Sequence, residues 1–189
     1  GLTVSPPFGN YKSDFLFTNR LEALKTIMGF ISKVKDETIV LMDCDSVNVI
    51  DFDDLLKQHH ETKADITVVY QNCDVPEVLS KHMSLELDDK KRVVKGALTS
   101  EVDTKANVCI NVWVMSRRLL LSAVDEAISL GLNSFEKDII LNNISSLRVF
   151  GYEYKGIYLP ITSMEDYYKN NMQLLDPSVR KAIFEQENH

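Results

Sequence analysis

Two aspartates separated by one residue, Asp43 and Asp45, are the side chains with the clearest capacity for chemistry. They follow the run 38–42 (TIVLM), whose β-branched, continuously apolar residues predict a central strand buried on both faces. In an open α/β sheet, ligands bind beyond the carboxyl ends of the strands. Paired carboxylates in that place hold a divalent cation, and the cation offsets the charge on a transferring phosphate.

The same acidic residues have a second interpretation. Asp45 caps a turn, and the acidic cluster is a solvated face made of Asp43, Asp45, Asp51, Asp53 and Asp54. An Asp-x-Asp pattern alone does not decide between a metal site and a solvated surface.

Adjacent His59 and His60 are the next candidates for metal ligands. Neighbouring positions on a helix point about 100° apart, so the two rings do not grip one metal. We therefore expect a solvent-side pair.

The elements around the Asp43 turn predict an α/β fold. Apolar spacing predicts a helix over 18–34, capped by Thr18 or Asn19, and a second helix from Asp51 to about Thr62. The next apolar run, 66–70, predicts a strand, so strand, helix and strand form a βαβ unit and the sheet is at least partly parallel. Downstream we predict a hairpin over 85–95, a strand over 108–115, helices over 119–130 (closed by Gly131) and 135–142, a strand over 148–150, and two helices within 163–188 broken at Asp176-Pro177.

Charge and composition exclude several classes of function. The net charge is −7 and the pI is near 5.1, which disfavours nucleic acid as a partner. Three cysteines, Cys44, Cys73 and Cys109, lie too far apart for a zinc motif and form no disulfide framework.

With no apolar run long enough for a membrane span and no signal peptide, we expect a soluble, cytoplasmic protein. The opening GLTV predicts a chain truncated at its amino terminus.

The residues around Asp45 resemble a known family. The stretch 40–52 reads VLMDCDSVNVIDF and is similar to the strand and turn of glucose-1-phosphate adenylyltransferases, the ADP-glucose pyrophosphorylase family. In that family the turn carries Gly-Asp-His. The resemblance places Asp45 at the catalytic, metal-positioning aspartate, with Cys44 in place of glycine and Ser46 in place of histidine.

A second stretch, 158–172, reads YLPITSMEDYYKNNM and resembles the family's Trp-Arg-Asp-Val-Gly-Thr segment. The resemblance places Pro160 at the second metal-binding aspartate and Thr162 at a glycine. Proline has no side-chain oxygen, so a magnesium site with two carboxylates cannot be completed there.

The family's sugar pocket is altered as well. Asn111 stands where the family has a glycine before Trp113, and a side chain there intrudes on the ligand. Asp43, Asn111, Trp113 and Thr162 are then remnants of a substrate pocket. Trp113 has two interpretations, a ring that stacks on a base and a core residue. The family's Glu-Lys-Pro element and its glycine-rich phosphate loop do not occur in the sequence.

The resemblance implies a three-layer α/β fold with a mostly parallel mixed sheet, of the nucleotide-diphospho-sugar transferase (GT-A/Rossmann-like) type, lacking the N-terminal nucleotide-loop unit. It implies one partial nucleotidyltransferase-like domain over 1–189. Residues 1–17 form an irregular segment, and the C-terminal helices of 163–189 lead to a β-helix domain absent from this chain.

The positions at which this sequence differs from the family's motifs favour a non-catalytic, regulatory subunit for glycogen biosynthesis. Its partner is then the catalytic ADP-glucose pyrophosphorylase subunit. The apolar face of the last helices docks on this domain, on the missing domain or on a partner, and self-association is also expected. No bound cofactor is expected in that case. The alternatives are an active sugar-1-phosphate nucleotidyltransferase or Asp-x-Asp glycosyltransferase that uses Mg²⁺ through Asp45, and a binding module that senses a sugar phosphate or nucleotide.

Overall fold

The computed structural model describes residues 19–75, 79, 81–102 and 104–185. The predicted irregular segment 1–17 and residues 186–189 at the end of the last predicted helix lie outside these ranges. Among the described residues, no helix combines the length and hydropathy needed to cross a bilayer.

The described residues form five α-helices and eight strands. The helices are α1 (Arg20–Ile31), α2 (Phe52–Glu61), α3 (Arg117–Ser129), α4 (Met164–Gln173) and α5 (Pro177–Phe184). The strands are β1 (Thr38–Met42), β2 (Ser46–Val47), β3 (Ile66–Asp74), β4 (His82–Leu87), β5 (Val93–Thr99), β6 (Lys105–Ser116), β7 (Val149–Glu153) and β8 (Leu159–Pro160). A π-helical segment, Phe135–Ile140, and a 3₁₀ turn, Leu141–Asn143, follow α3.

The helix boundaries follow from local capping chemistry. The side chain of Asn19 accepts from the backbone N–H of Glu22 and begins α1, and Asp51 does the same for Asp54 at α2. Gly131 closes α3 with a left-handed backbone (φ +67°). The predicted break at Asp176-Pro177 is confirmed, because Asp176 caps α5 and proline occupies its first turn.

The main sheet has six strands in the order β5-β4-β6-β3-β7, and β1 also pairs with β6. Strands β1, β3 and β4 all run antiparallel to β6, whereas β3 and β7 are parallel. The expected mostly parallel sheet is therefore wrong: the pairings are mostly antiparallel. The physical reason is that β6 lies between β1 and β3, so these two strands, which run in the same direction, do not pair with each other, and the pairing of β3 with β7 is the parallel one among the described strands.

Strand β1 occupies a different place from the one its composition predicts. It pairs with β6 on one side, and no other described strand pairs with its second side. Its first four residues are only half-buried, and Met42 is 44% exposed. The prediction of a central, fully buried strand is therefore wrong, and β1 is an apolar strand at a sheet edge.

Helices cover both faces of the sheet, which confirms the three-layer arrangement. On the first face, α1, α3 and the π-helical segment pack on the strands through residues such as Leu21, Leu120 and Phe135. On the second face, Leu55 of α2 packs against Val69 and Val112. Full burial of these apolar side chains stabilises the fold by about 2 kcal/mol each.

The histidine pair is not the solvent-side pair that the sequence predicted. His59 is 6% exposed, and its Nδ1 lies 2.7 Å from Oγ1 of buried Thr67 on β3. Burial lowers the pKa of His59, and the neighbouring His60 lowers it further. His59 is therefore a neutral, hydrogen-bonded residue on the buried face of α2.

Two smaller features complete the fold. Strands β2 and β8 form a separate two-stranded antiparallel sheet, which joins the segment after Asp45 to the segment before α4. The β4–β5 hairpin reaches across to β7, where the backbone N–H of Gly151 donates to the carbonyl of Lys91 at 2.8 Å.

Candidate functional site

Asp43 follows β1 directly and lies against β6. Its backbone N–H donates to the carbonyl oxygen of Asn111 at 3.2 Å. Both carboxylate oxygens face the guanidinium of Arg20: Nε donates to Oδ1 at 3.0 Å, and Nη2 pairs with Oδ2. This bidentate arrangement occupies one lone pair on each carboxylate oxygen and offsets the negative charge that would attract a metal ion.

Arg20 also pairs through Nη1 with Glu136 of the π-helical segment. Its guanidinium carbon lies 4.3 Å from the ring centroid of Trp113 and 5.5 Å from that of Phe135. We call these five residues, Arg20, Asp43, Trp113, Glu136 and Phe135, the Arg20 cluster. Its charged side chains are only 18% (Arg20) and 25% (each carboxylate) exposed, so solvent screens them weakly.

Sequence reasoning missed Arg20, although the sequence holds a signal for it. Arg20 is the first residue of α1, where the positive end of the helix dipole disfavours a cation. Acidic partners elsewhere in the fold offset that cost. They lie 23 and 116 positions away, so sequence alone does not identify them.

Asp45 lies beside Pro160, as the two stretches that resemble the family predict. Ser46 pairs with Pro160 in the β2·β8 sheet, and the N–H of Ile161 donates to the carbonyl of Asp45 at 2.8 Å. The carbonyl of Pro160 accepts from Nδ2 of Asn170, also at 2.8 Å. The structure therefore brings the metal-positioning candidate next to a residue whose side chain offers no ligand atom.

The electrostatic surroundings of Asp45 differ from those of Asp43. Partial burial raises the pKa of Asp45, and the nearby charge of Asp43 raises it further. Tyr158 is mostly buried near both aspartates, and its pKa is also raised, by burial first and then by Asp45. No group of three or more His, Cys, Asp or Glu side chains within the described ranges has metal-binding geometry.

Asn111 adopts a left-handed backbone conformation, with φ at +60°. It lies in the irregular stretch of β6 where the register with β3 shifts between Val69 and Tyr70. Glycine takes this conformation at no steric cost, and asparagine is among the residues that tolerate it best. Asn111 therefore has a backbone shape that a glycine would also adopt, and it adds an amide side chain.

A cavity of about 250 Å³ opens beside Asn111. Met83 and Leu98 supply apolar walls, and its polar lining consists of Lys81, His82, Asn111, Ser134 and Glu136. His82 is 7% exposed; its Nδ1 lies 3.0 Å from the carbonyl oxygen of Leu79, so Nδ1 carries the proton. Its Nε2 is buried and has no hydrogen-bond partner among the described residues.

The two remaining predicted pocket residues lie apart from this cavity. Trp113 is fully buried in the core of the first face, which agrees with its interpretation as a core residue. Thr162 is on the surface, where its hydroxyl donates to Oδ2 of Asp166 at 2.8 Å. Ser163 and Asp166 bond each other in the same turn, so Thr162 contributes to the start of α4.

No family model matches the sequence. Among solved structures, the crystal structure of HddC from Yersinia pseudotuberculosis is similar in fold, with a TM-score of 0.63 and 16% sequence identity. The match covers 87% of this chain and 68% of HddC. This likeness establishes a shared fold. At 16% identity it carries no information about substrate or partner.

Proposed function

We propose that this chain is a non-catalytic, regulatory subunit of glucose-1-phosphate adenylyltransferase in glycogen biosynthesis, with a nucleotide-diphospho-sugar transferase (GT-A/Rossmann-like) domain. The observation that carries the proposal is the bidentate contact between Arg20 and Asp43. An acidic turn at a strand end serves phosphoryl transfer only if its carboxylates are free to hold a metal.

The second support is the pairing of Ser46 with Pro160 beside Asp45. Magnesium in nucleotide enzymes is held by one or two carboxylates together with substrate phosphates. Asp43 is occupied by a guanidinium, and Pro160 offers no side-chain oxygen, so Asp45 is the remaining anchor of this turn. A single exposed carboxylate binds Mg²⁺ weakly.

The C-terminal helices support a role in assembly. Helices α4 and α5 and the turn between them expose Met164, Tyr168, Leu175 and Phe184, each by 62% or more. A groove of about 650 Å³ runs along them and is lined by Tyr168, Met172 and Val179 together with polar residues. Apolar surface of this kind is typical of contacts with a further domain or subunit.

The decisive experiment mixes the purified chain with the catalytic subunit and measures ADP-glucose formation from ATP, glucose 1-phosphate and Mg²⁺. We expect no product from this chain alone, co-purification of the two chains, and a changed activator response of the catalytic subunit. Product formed by this chain alone would contradict the proposal and favour an active nucleotidyltransferase. Failure to co-purify would exclude the regulatory role.

Pro160→Asp tests the chemical reason directly. We expect this variant to bind Mg²⁺ more tightly than the wild-type chain in calorimetry, because a second carboxylate joins Asp45. Pro160→Asn is the matched control: it removes the ring in the same way but adds no charge. Equal Mg²⁺ affinity in both variants would show that Pro160 does not limit metal binding.

The cavity beside Asn111 favours a second candidate function, a module that binds a sugar phosphate without turnover. Several polar side chains line the cavity beside its apolar walls, among them those of Lys81, Asn111 and Ser134. Calorimetry with glucose 1-phosphate would detect such binding. We expect His82→Phe to abolish it and His60→Phe, on the opposite side of the sheet, to leave it unchanged.

A further inference from the structure

The Arg20 cluster and the cavity beside Asn111 share one residue, Glu136. Oε1 of Glu136 pairs with Nη1 of Arg20, whereas Oε2 accepts from Oγ of Ser134 at 3.4 Å. Both Ser134 and Glu136 belong to the lining of the cavity. One oxygen of this carboxylate thus contacts the cluster, and the other contacts a residue of the cavity wall.

Arg20 extends this connection to the turn 43–45. Its Nε and Nη2 bond to the two carboxylate oxygens of Asp43. The ring centroids of Trp113 and Phe135 lie 4.3 and 5.5 Å from its guanidinium carbon, and its side chain is only 18% exposed. A guanidinium donates hydrogen bonds only and keeps its charge, so in this place it depends on the two carboxylates that contact it.

Asp43 and Glu136 share the positive charge of Arg20. A carboxylate that gains another hydrogen-bond donor holds Arg20 less strongly, because part of its negative charge is then satisfied by the new donor. Arg20 in turn interacts more strongly with the other acid, since groups in one network polarise one another. A change at the cavity wall therefore alters the contact between Arg20 and Asp43.

We propose that Arg20 is a positioning residue that couples the cavity to the turn 43–45, so that a ligand donating to Glu136 strengthens the hold of Arg20 on Asp43. The hydroxyls of a sugar phosphate are such donors, and in naming this ligand the inference rests on the second candidate function. By linkage, a divalent cation that displaces Arg20 from Asp43 weakens the cavity ligand by the same factor by which the ligand weakens the cation.

The first test is a double-mutant cycle measured by urea unfolding of the full chain at pH 7. Asp43→Asn and Glu136→Gln each remove one counter-charge of Arg20 and keep the shape of the side chain. We expect the double variant to unfold about tenfold more readily than the product of the two single effects, because only there does Arg20 lose both acids. Asp65→Asn with Glu136→Gln is the control without a shared cation and should be additive. Additive effects of the first pair as well would overturn the proposal.

If the double variant does not fold, an Arg20→Met background carries the same test. The two carboxylates lack their shared cation there and repel each other. Asp43→Asn and Glu136→Gln should then each stabilise the chain, whereas each destabilises it when Arg20 is present. The same sign of effect in both backgrounds would show that Arg20 does not connect the two acids.

The Nε–H proton resonance of Arg20 reports the coupling directly, because this group bonds to Asp43 and not to Glu136. Glucose 1-phosphate should move the resonance downfield in the wild-type chain and leave it in place in Glu136→Gln. Shifts at Asn111 and Ser134 without a shift at Arg20 would overturn the coupling. Absence of shifts at all three residues would instead contradict the second candidate function, and the mutant cycle, which needs no ligand, then decides the coupling.

Discussion

Arg20 and His59 lie on opposite faces of the same sheet, and both side chains can carry a positive charge. Arg20 keeps its charge and is paired with Asp43 and Glu136 over the ring of Trp113. His59 is buried beside Thr67, and its surroundings favour the neutral ring. The first face therefore holds paired charges next to the candidate site, whereas the second holds a neutral hydrogen bond.

The contrast shows what an acidic turn needs in order to be a metal site. Burial alone does not determine the state of a polar group, because the partners decide whether the charged form persists. At Asp43 a fixed cation takes the place that a metal ion would need. The largest expected effects of mutation therefore lie on the first face.

Arg20→Ala should destabilise the fold by about 3 kcal/mol, because it leaves two partly buried carboxylates without a counter-charge. Arg20→Lys should lose less, since lysine keeps the charge but cannot bond bidentately. Urea unfolding at pH 7 measures both. Arg148→Ala is the control: its pair with Asp65 is on the surface, with the side chain of Arg148 53% exposed, and we expect a much smaller loss. Equal losses of stability at positions 20 and 148 would show that the ion pairs of the Arg20 cluster contribute no more than an exposed ion pair.

Asn111→Ala should cost about 1 kcal/mol, because alanine tolerates the left-handed backbone less well than asparagine. Asn111→Gly should be neutral or slightly stabilising at the same position. Thermal unfolding of the two variants separates backbone strain from side-chain contacts. If Asn111→Gly destabilised the fold as much as Asn111→Ala, contacts of the amide side chain, and not backbone strain, would account for the loss of stability.

The stability contributed by His59 on the second face should depend on pH. The pKa of His59 is lowered in the folded state, so the unfolded chain binds a proton first as pH falls below 6.5. Stability from neutral His59 is present above pH 6.5 and is lost below it. His59→Gln should flatten this part of the pH dependence of unfolding, while the exposed-side control His60→Gln should leave it unchanged. A wild-type profile that is flat from pH 7 to 5 would contradict a neutral, buried His59.

The smallest effect is expected at Asp45. Its pKa is raised above 3.8 by burial and by Asp43, so ionisation is less favourable in the folded chain than in the unfolded one. Asp45→Asn should therefore slightly raise the melting temperature at pH 7, and the difference should vanish below pH 3.8. A large loss of stability in this variant would reveal a structural contact of the carboxylate. Melting curves at pH 3 and pH 7 provide the comparison.

Local signals in the sequence predicted the elements well. Apolar spacing and the caps at Asn19, Asp51 and Gly131 located the helices, since capping depends on residues within one turn. The proximity of Asp45 to Pro160 also follows from the two stretches that resemble the family. The buried position of His59 had a signal too, because it lies four residues after the core residue Leu55 on the same helical face.

Long-range pairing accounts for what the sequence did not predict. An apolar strand has the same composition whether it has one neighbour or two, so the edge position of β1 was not evident from TIVLM. The insertion of β6 between β1 and β3 joins segments about 70 and 40 residues apart, which no local pattern records. The contacts of Arg20 likewise form only in the assembled fold. The pairing of Asp43 with a guanidinium is therefore not evident from the sequence.

The shared position of β6 in the sheet determines how the sheet comes apart. On one side, β6 pairs with β4 near Val108 and with β1 from Val112 onward, and on the other side it pairs with β3 over nearly its whole length. Three strands thus depend on one strand as their common support. Separation of β6 would break the pairing of all three at once, so slow-exchanging amides in this strand should report global unfolding, and partial loss of the sheet should begin at the edge strands β1, β5 or β7.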